Sequence, residues 1–213
     1  MEPLVHLASV VVPLLRDNVD TDAIIPAAYM RSLATDPGTG LFGRWRYRAD
    51  GSADPGFVLN EPRYAGARML LAGANFGCGS SRENAVWALA RHGIRAVLAR
   101  SFGDIFHENC FKNGVLPITL DPRDHERLVA LCTRDAPCAL AIDVARGEIR
   151  TAAGSDTFHF HLDPRKRTML MNGTDEITST LAAMPRIDAF RARHRQDKPW
   201  LYAPGGAAAG GGA

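Results

Sequence analysis

Asn75-Phe76-Gly77-Cys78-Gly79-Ser80-Ser81-Arg82-Glu83-Asn84 is a glycine-rich turn leading from a strand into a helix. The strand is Arg68-Met69-Leu70-Leu71-Ala72, and helical periodicity follows the turn, with Val86, Leu89 and Ala90 on one apolar stripe. Ser80 and Glu83 have capping-box spacing, which predicts a helix over 81–92 with Ser80 as N-cap and Gly93 as left-handed terminator. The first N–H groups of a helix lack intrahelical partners and so favour negative charge. Arg82 adds a full positive charge beside them. The turn therefore has the composition of a carboxylate or phosphate site that also presents a serine. Its spacing is neither the phosphate-cradling G-x-x-x-x-G-K-[ST] loop nor the dinucleotide G-x-G-x-x-G fingerprint. Gly79-Ser80-Ser81-Arg82 also lacks the second glycine of a G-x-S-x-G elbow. Neither nucleotide binding nor ordinary serine hydrolysis is supported.

Asp17-Asn18-Val19-Asp20-Thr21-Asp22-Ala23-Ile24-Ile25-Pro26 is the second informative segment, with three carboxylates in six residues after the apolar run Val10-Val11-Val12. Asp, Asn and Thr readily bond their own backbone, so an Asx-rich turn accounts for it. The ligand series and distal Glu of an EF-hand calcium loop are missing.

Outward from these segments the pattern is α/β. Strands are expected at Val10–Leu15, 94–99 and 115–120, with a short helix starting at Pro26–Met30. A helix capped by Ser101 should end at Asn113-Gly114, and another should span Pro122–Arg134. Alternation at 139–144, 148–151 and 157–162 predicts antiparallel strands with Gly-containing turns. Much of 164–196 reads as helix, interrupted near Pro185. Residues 34–56 form a long Gly-, Asp-, Pro- and Arg-rich excursion, of the kind that often carries function. One domain over 1–200 is expected, followed by a low-complexity, disordered tail at 201–213.

The chain has 213 residues, 46% of them hydrophobic, enough for a real core. A net charge of +2 gives no reason to expect nucleic acid or a membrane surface as partner. Without an apolar run of the ~20 residues a bilayer requires, or a secretory signal, a cytoplasmic protein is expected. Cys78, Cys110, Cys132 and Cys138 form no C-x-x-C pair, so they read as reduced, mostly buried thiols with no metal site. Cys78 stands apart, because the Arg82 turn could stabilise a thiolate or simply bury a small residue there. His159 and His161 share a strand face without a third ligand, and His107 reads as a surface or capping residue on a helix.

Taken together, Asp17–Pro26 and Asn75–Glu83 resemble the small subunit of 3-isopropylmalate dehydratase, in the aconitase superfamily. Trp45-Arg46-Tyr47, Phe57-Val58-Leu59-Asn60, Ser101–Phe106, Asn113–Ile118 and Met171–Asp175 extend the resemblance over roughly residues 5 to 200. It implies the swivelling β/β/α domain of aconitase-like enzymes, and a hydro-lyase active only with a large subunit. No cofactor would be bound by this chain, and a [4Fe–4S] cluster would be carried by the partner. The implied substrate is a small dicarboxylate, 2-isopropylmalate, isomerised through 2-isopropylmaleate in leucine biosynthesis. By resemblance Ser80 is the base and Asp22 a catalytic residue near the departing hydroxyl. Ser81, Arg82 and Thr21 would contact substrate, and Arg31 lies in the region linked to substrate choice.

Asn84 departs from the histidine usual at that position. Related hydro-lyases of the homoaconitase kind, acting on citraconate, methylmalate or homocitrate-type acids, are an alternative class. A non-enzymatic swivel module that captures a carboxylate or a protein is another.

Overall fold

The computed structural model describes residues 1–30, 36–134 and 136–202. The candidate ligand Arg31, and the tail from residue 203 onward, lie outside them. The chain divides into two units, Met1–Thr174 and Asp175–Ala213.

In the first unit, strand β1 (His6–Leu14) is followed by two single-turn helices, α1 (Thr21–Ile24) and α2 (Gly43–Arg46). Then come β2 (Met69–Ala72), α3 (Asn84–His92), β3 (Ala96–Ala99), α4 (Asp104–Lys112) and β4 (Leu116–Thr119). Helix α5 (Pro122–Cys132), strands β5 (Ala139–Asp143), β6 (Glu148–Thr151) and β7 (Thr157–His159), and α6 (Pro164–Asn172) complete it. The seven strands form one sheet in the order β4-β3-β2-β1-β5-β6-β7. Strands β1 to β4 pair in parallel, whereas β5 runs antiparallel to β1 and to β6, and β6 to β7. The expected α/β class and antiparallel strands are thus present, with β1 as the seam between two pairing modes.

Burial explains why the strands read as they do. All of β2 and β3 is buried, because helices cover both faces of a parallel sheet. Val12, Leu14, Leu70, Val97 and Ala99 pack with Val86 and Leu89 of α3 and Phe106 of α4 on one face. Leu7, Val11, Met69, Leu71, Leu98 and Ile118 pack on the other with Leu128 of α5 and Leu170 of α6. Each such aliphatic side chain contributes about 1.5–3 kcal/mol by leaving water. Strands β5 to β7 alternate buried and exposed residues.

Helix α3 ends as expected, at Gly93 with φ +103°. It starts at Asn84, three residues later than the capping box predicts, and no side chain caps it. Ser101 does not cap α4 either; the N-cap is Gly103. The Ser101 hydroxyl instead accepts the Asn75 N–H (2.8 Å). The described part of the 34–56 excursion is no loose loop: Leu41 and Phe42 are fully buried in the core, and Trp45 stacks on Phe42 (5.8 Å). In the second unit, α7 (Glu176–Ala182) and α8 (Met184–Asp197) meet at Ala183, with Pro185 in the first turn of α8.

Candidate active site

Because β1, β2 and β3 are parallel neighbours, their C-terminal ends share one edge of the sheet. Open α/β sheets bind ligands at such an edge. The segments leaving these strands continue side by side beyond the ladder: Asp20 bridges in parallel to Cys78, and Phe76 to Phe102. Thr21 N–H donates to the Cys78 carbonyl (2.9 Å), and Gly77 N–H to that of Val19 (2.7 Å). Asn75 Nδ2 donates to Asn18 Oδ1 (2.8 Å), tying the starts of both turns.

Backbone geometry explains the glycines. Gly77 has φ +75° and a Cβ built on it would lie 2.1 Å from the Phe106 ring. Gly79 has φ +94°, a left-handed conformation that turns the chain back toward Thr21. A bulkier residue at either position would move the serine that follows.

The two segments meet in two rungs. Thr21 Oγ1 and Ser80 Oγ are 3.1 Å apart, and Thr21 Oγ1 also accepts the Ser80 N–H (3.3 Å). With its lone pair so engaged, the threonine can turn its own hydrogen toward Ser80 Oγ. The second rung is an ion pair between Asp22 and Arg82. Thr21 is buried, whereas Ser80 and Ser81 are exposed. The Asp22 and Arg82 side chains are 47% and 34% exposed, so this charged rung lies open to an incoming ligand.

Three carboxylates crowd the first segment, and the structure separates their tasks. Asp17 Oδ1 accepts from Ala74 N–H (2.6 Å), and Asp20 Oδ1 caps α1 at Ala23 N–H (2.7 Å). Both fix backbone. Asp22 is the one directed at Arg82, a division that spacing alone does not reveal.

Of the residues singled out by sequence, Thr21, Asp22, Ser80 and Arg82 converge; Ser81 lies exposed between the rungs. Ser80 is not a helix cap; its hydroxyl and its N–H both meet Thr21 Oγ1. Cys78 does not carry a stabilised thiolate: burial, reinforced by Asp20, pushes its pKa above the usual thiol value. Burial likewise raises Cys110 and Cys132. His107 is half-buried rather than superficial, packed against Phe102 (5.7 Å) and Phe111 (5.1 Å). His159 and His161 are exposed. Among the described residues, no three His, Cys, Asp or Glu side chains are grouped to hold a metal ion. A cleft of about 850 Å³ lies along α3, lined by Asn84, Trp87 and Arg91 among others, without any residue of the two rungs. Among the described residues, no helix is long and apolar enough to cross a membrane.

Comparison with known proteins identifies relatives of the whole chain. Residues 1–123 match the aconitase C-terminal domain. The 3-isopropylmalate dehydratase small subunit of Afipia carboxidovorans is 48% identical over 202 residues, covering 94% of this chain and 100% of that protein. Its counterpart from Mesorhizobium japonicum is 47% identical over 201 residues, with the same coverage. The crystal structure of 3-isopropylmalate dehydratase from Methanocaldococcus jannaschii superimposes with a TM-score of 0.62 at 28% identity, over 86% of this chain and 99% of that one.

Proposed function

This chain belongs to the family of 3-isopropylmalate dehydratase small subunits, and we propose that it supplies the base and the carboxylate grip of an active site completed by a large subunit. The reaction is the isomerisation of 2-isopropylmalate to 3-isopropylmalate through 2-isopropylmaleate, a step of leucine biosynthesis in the cytoplasm. The observation that carries it is the pair of rungs, Thr21 to Ser80 and Asp22 to Arg82.

Dehydration removes a proton from one carbon and hydroxide from its neighbour; rehydration returns water in the opposite regiochemistry. The carbon acid is weak, so the base must be held in place and its charge stabilised. Ser80, as alkoxide, would take the proton, with the Thr21 hydroxyl donating to its oxygen and Arg82 adding positive charge. The Arg82 fork suits a substrate carboxylate held by two N–H groups. That carboxylate would compete with Asp22, which occupies the guanidinium in the free chain. Asp22 so released stands beside Thr21, near the departing hydroxyl. Ser81 would add a hydrogen bond to the same end of the substrate, and Arg31 belongs to the segment that would bear on substrate choice.

Hydroxide is a poor leaving group, and the Lewis acid for its departure would be a [4Fe–4S] cluster on the large subunit. The described residues of this chain do not fit such a group. Cys110 and Cys132 are buried in separate core clusters, and Cys78 lies in the catalytic turn.

The test is reconstitution under anaerobic conditions with the large subunit, following hydration of 2-isopropylmaleate by ultraviolet absorbance. Turnover only with both chains present is expected. Turnover by the large subunit alone would refute the split site. Preference for citraconate or a homoaconitate-type acid in a substrate panel would reassign the substrate.

A further inference from the structure

The catalytic turn is followed by a helix start that no side chain caps, yet Glu83 at that position is not idle. Its Oε1 accepts a hydrogen bond from Asn113 Nδ2 (2.8 Å). Asn113 closes α4, thirty residues further along the chain. Nδ2 also donates to the Asn109 carbonyl (2.9 Å), and Oδ1 accepts from Trp87 Nε1 on α3 (3.0 Å). Both amide donors and the amide oxygen are thus committed, which fixes the orientation of the group.

The opposite end of α4 holds the opposite end of the same turn. Gly103 N–H donates to the Phe76 carbonyl (2.9 Å). Phe106 fills the space that a side chain at Gly77 would need. Helix α4 is therefore a brace with two feet, one under Phe76-Gly77 and one at Glu83. Ser80, Ser81 and Arg82 hang between them.

We propose that Asn113 and Glu83 are positioning residues for the reaction: their hydrogen bond fixes the downstream end of the Ser80–Arg82 turn and so sets where the arginine fork stands relative to the serine base. The inference rests on the roles given above to Ser80 and Arg82. It concerns residues that need never touch the substrate.

The predicted signature separates positioning from simple stability. In the assembled two-chain enzyme, Asn113→Leu and Glu83→Ala should each lower kcat/KM by roughly 10- to 100-fold, the scale of a misplacement of about 1 Å. Glu83→Gln keeps an acceptor oxygen for Asn113 and should retain activity within about twofold, because a neutral hydrogen bond still holds the turn. The double variant Glu83→Ala with Asn113→Leu should be no worse than Asn113→Leu, which already removes the Glu83 bond along with those to Asn109 and Trp87. Melting temperature and co-elution with the large subunit are measured alongside. Losses that multiply in the double variant would overturn the proposal, as would lower melting temperatures with unchanged kcat and KM. Ser80→Ala belongs in the same assay. If it stays active, the base assignment fails; if it is inactive while the Asn113 and Glu83 variants are normal, only the brace fails.

Discussion

The two halves of the sheet share one hydrogen-bonding chemistry and differ in where their strand ends lead. Parallel strands cannot be joined by tight turns, so β1 to β4 need crossovers, and their C-terminal ends gather on one edge. Segments leave that edge from β1, β2 and β3, and side chains of the first two face one another across the gap. The antiparallel strands return directly. Their turns use polar side chains on their own backbone, Asp143 Oδ1 on Arg146 N–H (3.0 Å) and Thr151 Oγ1 on Asp156 N–H (3.1 Å). Topology decides which polar groups are left free for chemistry.

The largest effect that would sharpen this contrast is at Ser80, the proposed base. Ser80→Ala should lower turnover of the assembled enzyme by about 10²–10⁴-fold, the usual contribution of a positioned base, without loss of assembly. His159→Ala, on the exposed face of β7, should leave turnover within about twofold, as surface substitutions generally do. Comparable losses at both positions would erase the distinction between the halves.

Arg82→Lys comes next. It keeps the charge but removes the planar fork, at a cost of about 2 kcal/mol, or about thirtyfold in kcat/KM. Steady-state kinetics across substrate concentrations should show much of this loss in KM.

Two glycines compare the halves by stability. Gly77→Ala forces a side chain into the Phe106 ring at positive φ, and should cost about 3 kcal/mol in urea unfolding. Gly154, in the β6–β7 turn with φ +71°, has no atom within 4 Å of a built Cβ. Gly154→Ala should therefore cost only the backbone strain, about 1 kcal/mol. Equal costs would mean that the close approach beneath the Ser80 turn is unimportant.

The smallest effect is one of pH. Burial against Phe102 and Phe111, and then the Lys166 charge, hold His107 below the usual histidine pKa. Below the unfolded value of about 6.5, the unfolded chain binds protons more readily, so folding stability falls on acidification. Melting temperature should drop between pH 7 and pH 5, and His107→Phe should flatten the slope. His92, lowered by burial and then by Arg46, should supply part of what remains.

Periodicity shows the strands and helices well because it records burial. The β2 run, the Gly93 stop and the antiparallel alternation are all visible before folding is considered. The capping box is the instructive failure. Ser80 and Glu83 have the right spacing, but left-handed Gly79 and the Thr21 contact draw Ser80 toward α1, leaving Glu83 to Asn113. A long-range partner outcompetes a local one, and local spacing carries no record of it. Cys78 teaches the same lesson: Arg82 is close in sequence, but burial and Asp20 govern the thiol. Motif resemblance nominated the four residues, whereas their pairing into rungs and the assignment of Asp17 and Asp20 to backbone needed the folded structure.

Strand β1 has a consequence for biosynthesis. It is translated first, yet Val11 must wait for Met69 and His6 for Asp143 before either edge is covered. A nascent chain therefore carries an apolar strand with bare N–H and C=O groups through most of its elongation, at about 5–20 residues per second. The seam that joins the two halves keeps one edge open from its own synthesis until β5 is made, a long interval in which a chaperone could act.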